Sequence, residues 1–551
     1  MPRYASRFFL SPSAPSASLR YFLLSCFLPL LFGIPFLSGC THSHFDPQSL
    51  TFLIESNPAN LDPRFATDAQ SQHIDGLIFS SLLQRDGQMN LHGDLAESWE
   101  SPDPLTYIFH LRKNVRFHNG RPLTSADVKT TFTYILDPAN HSPKRGGFRM
   151  ITAIDTPDPQ TVIFHIKEPY ASFTWNLARP AIGIVPANAG ADFARHPVGS
   201  GPFRFVSQSQ DDEVLVERNP NYFGGAPQLA RVRFRVVPDA IVRALELRKG
   251  SADFEISSLP PDMIPALARQ PYLAVTQRPG TNVDYIGINF EDPILAHREV
   301  RQALAFATDR AQLIKYLRHG QARIATGILP PNHWAYEPDV AHYAADPTRA
   351  EKLLDSAGFP RQQNGSRFHV TLKMSTDEQA RLIGAALQEQ WRRAGIDLEL
   401  RPLEVATLFS DVAKGNFQLT YLRWVGANND PDFFEFAFSS KRFPPDGANR
   451  GHYRNPLIDS LTDQIRSEAN REKRKALCGE VQKILADDLP YFPLWFTDVV
   501  SVHRRSFGEP ALSPTGDFDF LAQTANPATS QSPQAELRLP ARPSTFRRPI
   551  Q

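Results

Sequence analysis

Apolar positions along the chain follow two different periods. Tyr107-Ile-Phe-His-Leu111 alternates apolar and polar, and Thr161-Val-Ile-Phe-His-Ile166 repeats the pattern, so each predicts a half-buried strand. Leu50-Thr-Phe-Leu-Ile54 opens the patterned region and runs into the turn-rich Asn57-Pro-Ala-Asn-Leu-Asp-Pro63. Thr124-Ser-Ala-Asp-Val-Lys129 places a cap ahead of a helix that runs to Leu136 and stops before Pro138. Farther on, Phe368-His-Val-Thr-Leu-Lys-Met374 reads as a strand. Thr376 with Gln379 reads as a capping box, and Leu382, Ile383, Ala386, Leu387 and Trp391 form a helical stripe. Gly395 ends that helix, and Ile396, Leu398 and Leu400 alternate in a second strand. Strand, helix and strand in this order form a βαβ unit, which implies a locally parallel sheet and a right-handed crossover. Val300, Leu304, Ala307, Ala311 and Ile314 mark a further amphipathic helix. The class is α/β, and no repeat with a period of roughly 20–50 residues is visible.

Two ends of the chain break this patterning. Residues 1–39 hold Arg3, Arg7 and Arg20 and no acidic residue, and an apolar run from Tyr21 to Leu37 follows the arginines. A basic start, an apolar run and small residues at its end describe a secretory signal, with an uncleaved membrane anchor as the other reading. Pro29 and Pro35 interrupt the run. It ends at Leu37-Ser-Gly-Cys40, which resembles the bacterial lipobox, where the cysteine becomes the lipidated first residue of the mature protein. The expected order is a signal peptide at 1–39, a lipidated tether at 40–49, and acyl chains on Cys40 holding the body at a membrane surface. At the other end, residues 523–551 are rich in proline, serine and threonine. From 524 onward they carry four arginines and one glutamate, which predicts a disordered basic tail.

Composition narrows the function. The chain has 551 residues, 41% hydrophobic and 21% charged, as in a soluble protein with two to four domains of roughly 100–200 residues. Lys+Arg at 59 against Asp+Glu at 58 leaves +1, which argues against a nucleic-acid binder; losing the three leader arginines gives −2. Cys26 belongs to the discarded segment, so Cys478 has no partner except the lipidated Cys40 and reads as a buried thiol. The chain lacks His-Glu-x-x-His, Gly-x-x-x-x-Gly-Lys and Gly-x-Gly-x-x-Gly. Val198-Gly-Ser-Gly-Pro202 is not Gly-x-Ser-x-Gly and reads as a tight turn. His110, His118, His42 and His44 lack a third ligand nearby and read as structural or solvated. Nothing in this set builds a catalytic centre, and neither an enzyme nor a resident cofactor or metal is expected.

The stretch Asp94-Leu-Ala-Glu-Ser-Trp99 through Tyr107-Ile-Phe-His-Leu111 to Val115-Arg-Phe-His-Asn-Gly-Arg-Pro-Leu-Thr-Ser-Ala-Asp-Val128 closely resembles the signature of the family-5 extracellular solute-binding proteins. These are the peptide/nickel-type receptors of ABC importers. Similar segments recur at Asn57–Pro63, Gly199–Phe205, Arg218–Phe223, Val300–Asp309, Ala350–Phe359 and Trp424–Phe433, so the likeness spans about residues 50–522. The resemblance implies a periplasmic-binding-protein-like two-lobed fold with a hinge. Lobe I would be 50–280 plus 490–522, with an extra subdomain at about 80–190, and lobe II would be 284–488. The implied function is capture of a small solute, most often an oligopeptide or dipeptide, by a monomer in the periplasm that delivers it to a permease and its ATPase. A nickel chelate, a sugar, or a sensor role without transport are the alternatives.

The resemblance also proposes contacts, one residue at a time. In peptide-binding members an aspartate three residues after a tryptophan meets the peptide ammonium; counting from Trp424 through Val425 gives Ala427, so that aspartate is absent. Asp430 is the expected substitute, or else a cap for the turn at Pro431. Thr67, Asp68 and Ala69 match a segment giving main-chain contacts, and Arg423 flanks the tryptophan. Arg381 matches a position that reads a ligand carboxylate in dipeptide-binding relatives; a solvated helix residue is its other reading.

Overall fold

The computed structural model describes residues 49–87, 89–178, 182–190, 192–209, 213–426 and 430–524. Cys40 with the leader, Ala427, and the tail beyond Thr524 lie outside the described residues. Three sheets carry the fold. The first has seven strands in the order Leu273–Arg278, Val499–Arg504, Phe254–Ile256, Ser49–Ile54, Arg231–Val236, Glu213–Arg218 and Phe203–Gln208. The second has six, ordered Ala322–Ile324, Tyr491–Thr497, Val283–Ile288, Leu419–Trp424, Phe368–Ser375 and Ile396–Leu403. A four-stranded antiparallel sheet of Ala96–Asp103, Thr106–Leu111, Thr161–Ile166 and Ile151–Asp158 forms a separate core around Phe109, Phe132 and Phe164.

The βαβ unit forms as its periodicity implies. Phe368–Ser375 and Ile396–Leu403 pair in parallel, and Glu378–Arg393 crosses between them. Ile383, Leu387 and Trp391 are buried on one face of the sheet. Leu382, at the edge of the stripe, is 47% exposed. The helix cap is Asp377, whose side chain accepts from the Ala380 amide, and not the Thr376 of the expected box. The stripe from Val300 to Ile314 spans two helices, Arg298–Phe306 and Arg310–Leu317, because the Asp309 side chain caps a fresh start by accepting from the Gln312 amide. Val283–Ile288 is buried at all six positions, which fits a central strand covered on both faces.

The chain passes between the two large sheets twice, through residues 279–282 and at Asp498. A return into the first lobe at residue 490 would come one strand too early. Tyr491–Thr497 pairs antiparallel with Val283–Ile288 inside the six-stranded sheet, where its run of buried side chains completes that core. The two crossings lie side by side. The Thr497 amide donates to the Asn282 carbonyl at 2.9 Å. A Cβ on Gly280 would sit 2.2 Å from the Thr497 carbonyl oxygen, so only glycine allows the two segments this close.

Candidate functional site

The strand Leu419–Trp424 ends between two partners, with Trp424 opposite Val283 and Arg423 opposite Asp284. Alternation then sends these two side chains to opposite faces. Arg423 turns to a fully buried carboxylate: Asp284 accepts from Arg423, from the Tyr421 hydroxyl at 3.0 Å and from the Trp495 indole at 2.7 Å. Burial works against that charge, yet the Arg423 guanidinium holds the Asp284 carboxyl below its ordinary value. Arg423 is therefore committed inside its own lobe.

Trp424 faces the other way, into an aromatic wall. Its ring stacks on Tyr285 at 6.1 Å and 7°, and meets Phe433 edge-on at 4.8 Å. Tyr285 in turn stacks on Tyr491 at 4.3 Å. Burial pushes the Tyr285 hydroxyl well above the usual tyrosine range and Tyr491 up to about 12, so both stay neutral hydrogen-bonding groups. Val425 beyond the strand end is 63% exposed.

Asp430 is buried, and its carboxylate is already paired. It accepts from Arg474 through two nitrogens at 2.7 and 3.1 Å and from the Ser172 hydroxyl. Arg474 also donates to Ser172 at 2.7 Å and to the Ile465 carbonyl at 2.9 Å. Against the effect of burial, Arg474 holds the Asp430 carboxyl below its ordinary value. A bond to a solute ammonium, the role expected of Asp430, would have to displace this bidentate partner. Ser172 belongs to the segment after the strand Thr161–Ile166, so the pair bridges the four-stranded unit to the six-stranded lobe. Neighbouring contacts bridge the same gap: Tyr170 hydroxyl to Asp432, Arg466 to Glu168 at 2.8 Å, and the Ala171 amide to the Arg466 carbonyl at 2.9 Å.

The other expected residues are placed separately. Asp68 caps the helix Ala69–Ile78 by accepting from the Ser71 amide at 2.9 Å, with Thr67 and Ala69 exposed beside it. Arg381 is exposed in the first turn of Glu378–Arg393. The described contacts join neither Arg381 nor Thr67–Ala69 to the Trp424–Asp430 group. Sequence reading missed Tyr285, Arg474, Ser172 and Tyr170. Arg474 and Ser172 are 302 residues apart, and no local pattern marks such a pair. His118 has a structural role: its Nδ1 accepts from the Gly199 amide at 3.3 Å and its Nε2 bonds the Gly201 carbonyl at 3.1 Å. Cys478 is a fully buried free thiol, pushed up to about 12 by burial. Among the described residues, no three His, Cys, Asp or Glu side chains gather to hold a metal ion.

Comparison with known proteins agrees with this architecture. The profile of the bacterial extracellular solute-binding proteins, family 5 Middle, matches residues 90–444. The glutathione-binding protein GsiB of Salmonella choleraesuis is 30% identical over 487 residues, covering 86% of this chain and 94% of that protein. The structure of NikA from Brucella suis with Fe(III)-EDTA superposes with a TM-score of 0.80 at 22% identity, over 87% of this chain and 99% of that one. DppA from Helicobacter pylori in complex with the peptide STSA superposes at 0.71 with 25% identity, over 87% and 98%. These relatives are solute-binding proteins, not enzymes. The chain belongs to the family-5 bacterial extracellular solute-binding proteins, two-lobed receptors that serve ABC importers.

Proposed function

We propose that this receptor captures a short peptide or peptide-like solute by hinge closure and delivers it to a permease and ATPase. The observation that carries the reading is the half-buried Trp424 ring, backed by the buried Tyr285 and Phe433, beside exposed Val425 and Phe436. An indole with apolar neighbours offers area for the side chains of a peptide and one N–H donor for its backbone. Relatives named for glutathione, and solved with the peptide STSA, point the same way. In this reading Thr67, Asp68 and Ala69 give main-chain contacts, and Arg381, Trp424, Val425 and Ala427 line the solute. Asp430 acts through closure. The lobes meet at the two crossings, near 279–282 and 498, and the receptor works as a monomer.

A thermal-shift panel on the mature chain tests the solute class. Di- to pentapeptides are expected to raise the melting temperature by several degrees. A panel in which only nickel–histidine or sugars do so would overturn the peptide reading.

Cys40 is the anchor in the same proposal, its acyl chains holding the receptor at the membrane surface. Cys40→Ser is expected to move the protein from the membrane to the soluble fraction, or to leave it unprocessed. Unchanged fractionation and mass would refute the anchor.

A further inference from the structure

Several arginines of the six-stranded lobe are committed to carboxylates or backbone carbonyls. Arg423 pairs with Asp284, Arg474 with Asp430 and Arg442 with Glu435, while Arg310 donates to backbone carbonyls. Arg450 differs. Its guanidinium lies 4.8 Å over the Trp424 ring and 6.0 Å from Phe409. Its hydrogen bond to the Tyr285 hydroxyl is long, at 3.5 Å. Among the described residues, no carboxylate stands within ion-pair distance of it. The side chain is half-buried, so its charge has lost part of its water without gaining a counterion.

The surroundings supply donors and apolar area. The Trp424 indole nitrogen is buried with no acceptor. Phe409 is 48% exposed and Phe436, 6.5 Å from Trp424, is 44% exposed. One guanidinium nitrogen reaches the Tyr285 hydroxyl and the charge lies over the Trp424 ring, which leaves the remaining N–H groups to meet a planar acceptor. A fixed fork of parallel donors matches a carboxylate bidentately. The apolar rings around it suit an uncharged group attached to that carboxylate.

We propose that Arg450 is the specificity-determining residue of the binding site. It reads a carboxylate of the solute, with Trp424, Phe409 and Phe436 holding the apolar group beside it. This rests on the peptide reading: the carboxylate is the peptide's C-terminus or an acidic side chain. It assigns the acid-reading role to Arg450 in place of the exposed Arg381.

Calorimetric titration of the mature chain with matched probes decides it. The probes are short apolar peptides as free acids, the same peptides as C-terminal amides, amides carrying one Glu, and non-peptide organic acids with their amides. Wild type is expected to prefer the free acid over its amide by 10- to 100-fold. Rescue of an amide by Glu would place the carboxylate on a side chain, and lack of rescue would place it at the C-terminus. Arg450→Gln is expected to bring the acid-to-amide ratio near one, and Arg450→Lys, which keeps charge but loses the fork, to leave an intermediate ratio. Near-UV circular dichroism of each free variant checks that the Trp424–Tyr285 stack persists. Equal weakening of acids and amides by Arg450→Gln would make Arg450 a structural stack and overturn the proposal with the peptide reading intact. Arg450-dependent binding of organic acids but of no peptide would overturn the peptide reading and keep the carboxylate. Binding by no acid of either kind would end both.

Discussion

His118 connects two distant turns through both ring nitrogens. Because Nδ1 accepts from the Gly199 amide, the proton sits on Nε2 and is donated to the Gly201 carbonyl. The glycines allow this: a Cβ on Gly199 would lie 1.9 Å from the Ile78 carbonyl oxygen. Burial favours the neutral ring and lowers its pKa to about 4. That folded value lies below the unfolded histidine value of about 6.5, so the unfolded chain takes up the proton first as pH falls. The stability His118 contributes is present above about pH 6.5 and is lost toward pH 4. In a labelled-histidine NMR titration the His118 signal is expected to keep its neutral-form, Nε2-protonated pattern down to pH 5. A midpoint near 6.5 would refute the assignment. The turn at Val198–Pro202 is legible because Gly admits backbone angles that other residues avoid and Pro fixes its own. Its partner was not, since His118 lies 81 residues from Gly199 and nothing local links them.

At the scale of elements, periodicity carries far and punctuation fails by a residue or two. The stripe Ile383, Leu387 and Trp391 is buried as its spacing implies, because a helix needs only one continuous apolar face to dock on a sheet. The cap is harder to read, because Thr376 and Asp377 are both good caps and the choice depends on where Ser375 leaves the strand. Asp377→Ala is expected to lower stability by about 1 kcal/mol and Thr376→Ala by a few tenths, in urea unfolding. Equal losses would place the cap wrongly. The break at Asp309 was hidden for a related reason: the apolar spacing continues through it, and only the capping bond from the Gln312 amide marks the new start. The return at residue 490 is what the family resemblance implies, while the strand Tyr491–Thr497 keeps the chain in the six-stranded sheet.

At the scale of the whole molecule, a hinged receptor needs open and closed forms separated by only a few kcal/mol, so that solute binding can tip the balance. The contacts between the four-stranded unit and the six-stranded lobe suit that requirement. Asp430 and Arg474 neutralise each other inside one lobe; from the other side the Ser172 hydroxyl reaches that pair, the Tyr170 hydroxyl reaches Asp432, and Glu168 pairs with Arg466 at a partly exposed site. Opening the gap would then break hydrogen bonds to charged groups worth about 1.5–3 kcal/mol each and release the part-exposed Arg466 and Glu168 to water, without stranding a fully buried charge. Losing one member of the ion pair is different, since the remaining buried charge costs about 3–5 kcal/mol. Asp430→Asn is therefore expected to lower the melting temperature of the solute-free protein markedly. The double variant Tyr170→Phe, Ser172→Ala should keep that temperature within a few degrees. It should also enlarge the radius of gyration seen by X-ray scattering and weaken solute binding by about 5- to 100-fold, because less of the protein starts out closed. A double variant with unchanged scattering and unchanged affinity would show that these hydroxyls do not govern closure. An Asp430→Asn protein that keeps its stability yet loses only ligands with a free amine would return Asp430 to the role of ammonium partner.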